Sequence, residues 1–188
     1  MTDFASIYQE FQPRIYRYLC RLSGEADAPD LTQAVFLKVS QALEGFRGEA
    51  SLATWIYRIA TNTAHDHRDS TRVKQREFEM IFDDADSVED LPNSRLSGTD
   101  QEYIRREMNA CILGLVDRLP ENYRTVLYLG ELEGFTNPEI AEITGLSVDT
   151  VKIRLHRART SLRKAMKTEC NFYRNDCNEL MCDRKSEK

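Results

Sequence analysis

Seven basic side chains, Lys152, Arg154, Arg157, Arg159, Arg163, Lys164 and Lys167, fall between Val148 and Lys167, where Asp149 is the only acid. Cations at that density suit phosphate contacts, and an outward arginine can pair with a guanine edge. A second reactive group is sulfur: Cys170, Cys177 and Cys182 place three of the five cysteines within a short tail. The spacing holds no CxxC pair, so a metal there needs a fourth ligand from Asp176, Asp183, water or a partner. Thiols beside Arg184 and Lys185 also suit a redox pair, and an idle tail is the third reading. Enzyme chemistry finds little support. The chain has no Gly-rich phosphate loop, and His65, His67 and His156 lack a metal-ligand spacing.

The basic stretch follows two helix starts. Thr136 suits an N-cap, Glu139 three residues on completes a capping box, and Phe135 with Ile140 can form a hydrophobic staple. Gly145 ends this short helix where the chain must turn. Ser147 caps the next one, with Asp149 at the positive end of its dipole. Two capped helices around a tight glycine turn are a helix-turn-helix pattern. At about 100° per residue, Val148, Val151, Leu155, Ala158 and Leu162 face inward. Asp149, Ile153, His156, Arg157 and Thr160 then face out, with Lys152 and Arg154 on the flanks. Such a face places Arg157 against a guanine and Ile153 against a thymine methyl, while Lys152, Arg154 and Arg159 grip phosphates.

The elements that carry these residues are helical almost throughout. Ile7, Tyr8, Phe11, Ile15, Leu19 and Leu22 form one amphipathic stripe. Leu31, Val35, Phe36 and Val39 form a second, and Leu52, Trp55, Ile56, Ile59, Ala60 and Thr63 a third. Helical spacing returns at Ile104, Met108, Cys111, Ile112, Leu115 and Leu119, and no period-2 alternation of useful length signals a hairpin. The net charge of −5 hides an asymmetry: residues 77–109 carry −7, and the blocks before and after carry +1 each. The expected architecture is all-α, two small helical domains joined by an acidic linker. The boundaries are 1–72, a linker over 73–100, 101–168, and a cysteine-containing tail over 169–188. An odd cysteine count without a disulfide framework, no signal-peptide pattern at the start and no apolar run of membrane length point to a cytoplasmic protein.

At this point the motifs resemble a known family. Leu119-Pro120-Glu121-Asn122-Tyr123-Arg124-Thr125-Val126-Leu127, then Glu133-Gly134-Phe135 through Ala141-Glu142-Ile143, then Val151 through Arg159, resemble region 4 of the sigma-70 family. Asp30 through Val39 resembles its region 2.2, and Phe46-Arg47-Gly48 with Thr54 through Asn62 resembles regions 2.3 and 2.4. Two ordered motif sets in a chain this short are similar to the extracytoplasmic-function (ECF) sigma factors. The alternative, a free-standing helix-turn-helix regulator, explains the second set alone.

The resemblance implies a promoter-specificity subunit without catalysis of its own and without a cofactor, the cysteine tail apart. Its partners would be core RNA polymerase, promoter DNA and an anti-sigma factor. Asp30, Gln33 and Phe36 would dock on polymerase, although Phe36 also suits plain core packing. Ala34 stands where the family usually has an acid. Phe46, Arg47, Ser51, Asn62, His65 and Arg68 would hold the melted −10 element. Lys152, Ile153, Arg154, His156 and Arg157 would meet the −35 element, with Ile153 in place of the small polar residue often found there. Some members of the group carry cysteine-rich extensions that sense metals.

The linker yields a prediction. If Asp83, Asp84, Asp86, Glu89 and Asp90 mimic nucleic acid in a basic channel of polymerase, neutralising them weakens holoenzyme more at low salt than at high. The screening length is ~10 Å at 0.1 M. Affinity measured across a salt series checks this, and an unchanged salt dependence returns the segment to a plain tether.

Overall fold

A computed structural model describes residues 3–79, 111–174 and 180–185. The acidic stretch from Asp83 to Asp90 and Cys177 lie outside the described residues. Helix α1 runs Phe4–Ser23, α2 Ala28–Ala42, and α3 Leu52–Glu79. Residues 111–117 are helical (α4), followed by α5 Glu121–Leu127, a π turn Tyr128–Leu132, α6 Asn137–Thr144 and α7 Val148–Glu169. Two short strands close the described chain, β1 Cys170–Arg174 and β2 Leu180–Arg184. Among the described residues no helix is long and apolar enough to cross a membrane.

The all-α expectation holds for the helical body, and the tail adds an antiparallel hairpin that sequence periodicity does not signal. Its register pairs Cys170 with Arg184 and Phe172 with Cys182, which turns both cysteines to one face. Helix α3 continues through 73–79, past the expected linker boundary. That stretch is rich in Lys, Gln, Arg and Glu, without Gly or Pro to stop a helix.

By contact the chain forms two compact units, each drawn from two stretches of sequence. The first holds Met1–Asp83 with Thr125–Leu155, and the second Asp84–Arg124 with His156–Lys188. In the first unit, Ile7, Phe11, Ile15, Leu19, Leu31, Val35, Val39, Ile56, Tyr57 and Ala60 fill the core between α1, α2 and α3. One stripe residue departs from the period. Tyr8 is 44% exposed, while Tyr18 is buried because its hydroxyl meets Thr61 Oγ1 at 2.8 Å.

Glu133 ties distant parts of this unit together. The π turn closes with Glu133 N–H donating to the Tyr128 carbonyl, and Gly134 takes a left-handed φ of 78° to reverse the chain. Glu133 Oε2 then accepts from the Tyr57 hydroxyl at 2.5 Å and from Arg14 Nε and Nη2 at 3.3 and 3.1 Å. Burial, and then the Glu133 hydrogen bond, push the Tyr57 phenol well above its ordinary range, so it stays a donor. The Phe135 ring packs edge-on against Tyr57 with centroids 4.9 Å apart.

Removing that carboxylate leaves the Tyr57 hydroxyl buried without its acceptor. Glu133→Ala should therefore destabilise the protein by ~1.5–3 kcal/mol in urea unfolding. Glu142→Ala, on the exposed side of α6, should stay within about 0.5 kcal/mol. Equal effects would mean that the junction contributes nothing specific.

Candidate nucleic-acid interface

The helix-turn-helix is built as its local chemistry dictates. Glu139 Oε2 accepts from the Thr136 N–H at 2.8 Å and from the Thr136 hydroxyl at 2.7 Å. Those two bonds hold the Glu139 carboxyl below its usual range, which keeps it ionised as the cap. Gly145 adopts φ 69°, and Leu146 N–H reaches back to the Ala141 carbonyl at 3.1 Å, a Schellman closure. Ser147 Oγ accepts from Thr150 N–H at 3.2 Å and starts α7.

The sides of α7 fall as the period requires. Val151, Leu155 and Ala158 are buried, and Gly130 leaves room for Leu155 at the π turn. Burial of that stripe turns Lys152, Ile153, His156 and Arg157 to solvent, with Arg154 half-buried on the flank. Ile153 is 52% exposed, an apolar group left in water at the middle of a cationic face. Lys152 Nζ meets Asp149 Oδ1 at 3.2 Å, so it stands at the first turn of the helix. Lys152, Ile153, His156 and Arg157 thus lie exposed within ~8 Å of helix axis, with Arg154 on the flank.

The amino-terminal residues separate into two places. Asp30 and Gln33 are exposed on α2 and Phe36 is 3% exposed beneath them. With Tyr8 and Gln12 of α1 and Leu37 they line one groove of about 630 Å³. Phe36 forms its floor, edge-on to Tyr8 at 4.8 Å, so core packing and groove lining are the same role. Sequence reading named three of these positions and missed Tyr8 and Leu37. Leu37 is 59% exposed, and an exposed leucine on an amphipathic helix breaks the very pattern used to read it.

Among the residues expected at the −10 element, Phe46 lies against Trp55 with ring centroids 4.9 Å apart, and Arg47 is exposed beside it in sequence. Ser51 accepts from Thr54 N–H at 3.0 Å, so it caps α3 as well as being exposed. Asn62 and His65 lie one turn apart on the exposed side of α3, and Arg68 is half-buried. Ten helical residues lie between Ser51 and Asn62, about 16 Å along the axis. The loop set and the helix set therefore lie in two separate places on this unit.

In the tail, Cys170 and Cys182 are buried and neither is in a disulfide. Cys111, read from the sequence as one more apolar stripe position, packs with them. Among the described residues no three His, Cys, Asp or Glu side chains are grouped as metal ligands would be.

Comparison with known proteins places this geometry. The sigma-70 region 2 pattern matches residues 7–73, and the sigma-70 region 4 pattern matches residues 109–162. The ECF RNA polymerase sigma-E factor of Haemophilus influenzae is 32% identical over 157 residues, 83% of each chain. The chain is an ECF sigma factor of the sigma-70 family. The RNA polymerase sigma-H factor of Pseudomonas aeruginosa is 32% identical over 165 residues, 87% of this chain and 86% of that one. In fold, the sigma factor resembles RpoE of Bartonella quintana, solved with the anti-sigma factor NepR. The TM-score is 0.70 at 22% identity, over 89% of this chain and 98% of that one. CnrH, solved with the cytosolic domain of CnrY, gives a TM-score of 0.59 at 20% identity, over 88% of each chain. A match to region 2 as well as region 4 disfavours the free-standing regulator.

The exposed face of α7 makes a specific prediction. Arg157→Ala should weaken −35-dependent initiation by ~1–3 kcal/mol at one base pair, through loss of a bidentate contact. Affinity for core polymerase should not change. Run-off transcription on promoters with and without a −35 element checks this, and equal loss on both would remove α7 from the groove.

Proposed function

We propose that this sigma factor lends core polymerase recognition of two promoter elements and captures melted bases at one of them. The observation that carries the reading is α7, where a buried Val151, Leu155 and Ala158 stripe commits Ile153, His156 and Arg157 to the outside. In this reading Arg157 and His156 meet base edges of the −35 element, Ile153 offers apolar contact to a thymine methyl, and Lys152 with Arg154 holds phosphates.

The groove between α1 and α2 takes polymerase. Asp30 and Gln33 supply polar rims around an apolar floor of Phe36 and Tyr8, an anatomy suited to a basic helical partner. The −10 strand runs from the loop residues Phe46, Arg47 and Ser51 to Asn62, His65 and Arg68 on α3. Aromatic and cationic groups there suit unstacked bases. Holding a base out of the duplex offsets an unpairing cost of a few kcal/mol, so opening needs no nucleotide hydrolysis by this subunit. The subunit performs no catalysis itself, requires no cofactor in this role, and acts in the cytoplasm where its promoter and polymerase are. An anti-sigma factor holds it in check, as suggested by the two structural neighbours solved with such partners.

Asn62 separates melting from docking. Asn62→Ala should spare the closed complex and reduce open complex, because its partner base is available only after unpairing. Permanganate footprinting on duplex and pre-melted templates reads this directly. Pre-melted templates bound as tightly as by wild type would take Asn62 out of strand recognition.

A further inference from the structure

The tail sulfurs lie in a setting that promoter recognition does not use. Cys111 of α4, Cys170 of β1 and Cys182 of β2 come from three elements and pack together with Leu115, Leu162, Ala165 and Met166. Cys170 is the most buried of them at 3% exposed, and both other thiols act on its ionisation. Its position is held on both sides. Arg118, just past α4, pairs with Glu169 at 2.5 Å, and Lys185 N–H donates to the Glu169 carbonyl at 2.7 Å. Lys185 Nζ also donates to the Lys167 carbonyl at 2.9 Å, which fastens the hairpin to the end of α7.

The strand register disfavours one pairing, Cys170 with Cys182. Cys170 stands opposite Arg184, and Cys182 opposite Phe172, so these two cysteines are diagonal neighbours. Diagonal residues sit ~7–8 Å apart, whereas a disulfide wants Cα atoms about 4.4–6.8 Å apart. Cys111 comes from a helix packed on the sheet and is free of that register. The geometry points to Cys111 and Cys170 as a redox-active pair, oxidised by peroxide to a disulfide that staples the tail to α4.

The order of events follows exposure. Cys111 is half-buried and meets the oxidant first, whereas Cys170 is 3% exposed and burial pushes its thiol up to about 11. The Cys111 thiolate attacks one peroxide oxygen, the O–O bond breaks, and a sulfenic acid forms as the departing hydroxide takes a proton to become water. Cys170 sulfur then attacks Cys111 sulfur, the S–O bond breaks, and the displaced hydroxide leaves with the Cys170 proton as a second water. Two sulfurs give up two electrons and the peroxide receives them. The bond closes a loop containing α5, α6 and α7, so oxidation restrains the −35-reading domain in its folded form.

The test uses the full chain, reduced, treated with hydrogen peroxide, alkylated and mapped by mass spectrometry without reduction. The expected main product links Cys111 to Cys170, and it forms equally in Cys177→Ser. Oxidised wild type should melt several degrees above the reduced protein, a gain that dithiothreitol reverses and Cys111→Ala lacks. A main product joining Cys170 to Cys182 or Cys177 overturns the pairing. Thiols that stay fully alkylatable at peroxide levels that oxidise free glutathione overturn the redox assignment, and this mapping of wild type does not depend on how any variant folds.

Discussion

Glu133 is where the first compact unit is decided. Its carboxylate is reached by Arg14 from α1 and by Tyr57 from α3, across 119 and 76 residues of sequence. A buried phenol must have an acceptor, and an acid this enclosed must have donors, so each group makes the other's burial tolerable. The π turn before Glu133 and the left-handed Gly134 after it flank this one side chain. From there Phe135 packs on Tyr57, α6 starts at Thr136, and the start of α7 is set. The helix-turn-helix thus hangs on an electrostatic tie as much as on its own caps.

The candidate surfaces are consequences of what is buried beneath them. On α7 the interior positions Val151, Leu155 and Ala158 leave the intervening residues no choice but solvent. On α2 the buried Phe36 brings Tyr8 over it and opens the groove that Asp30 and Gln33 overlook. On α3, buried Thr61 and Thr63 flank Asn62 in sequence and turn it outward. In each case the exposed side chains are positioned by packing on the opposite side, and that packing resists small displacements.

The tail follows a different logic. Its hairpin buries little apolar surface, since Asn171, Phe172, Tyr173 and Arg174 are exposed. It is held by ion pairing at Glu169, by the Lys185 contacts and by the burial of two thiols. Sulfur here fills the place that leucine or valine would take in a larger core, while keeping a reactivity that those residues lack.

The sequence by itself determined the helices, the capped turn and the outward face of α7. Those depend on residues within about five positions of one another: Thr136 with Glu139, Ala141 with Leu146, and Val151, Leu155 and Ala158 along one stripe. Local chemistry is written in local order. The tertiary structure alone decided that Tyr18 and not Tyr8 enters the core, because the choice rests on a hydroxyl partner 43 residues away. It alone joined Cys111 to the tail thiols, and it alone brought Arg14 and Tyr57 to one carboxylate. The residues proposed for the −10 element were named from the motifs, but their separation into two places needed the axial length of α3. Contacts between distant residues leave no period in the chain, because burial and charge pairing are satisfied by whichever groups folding brings together.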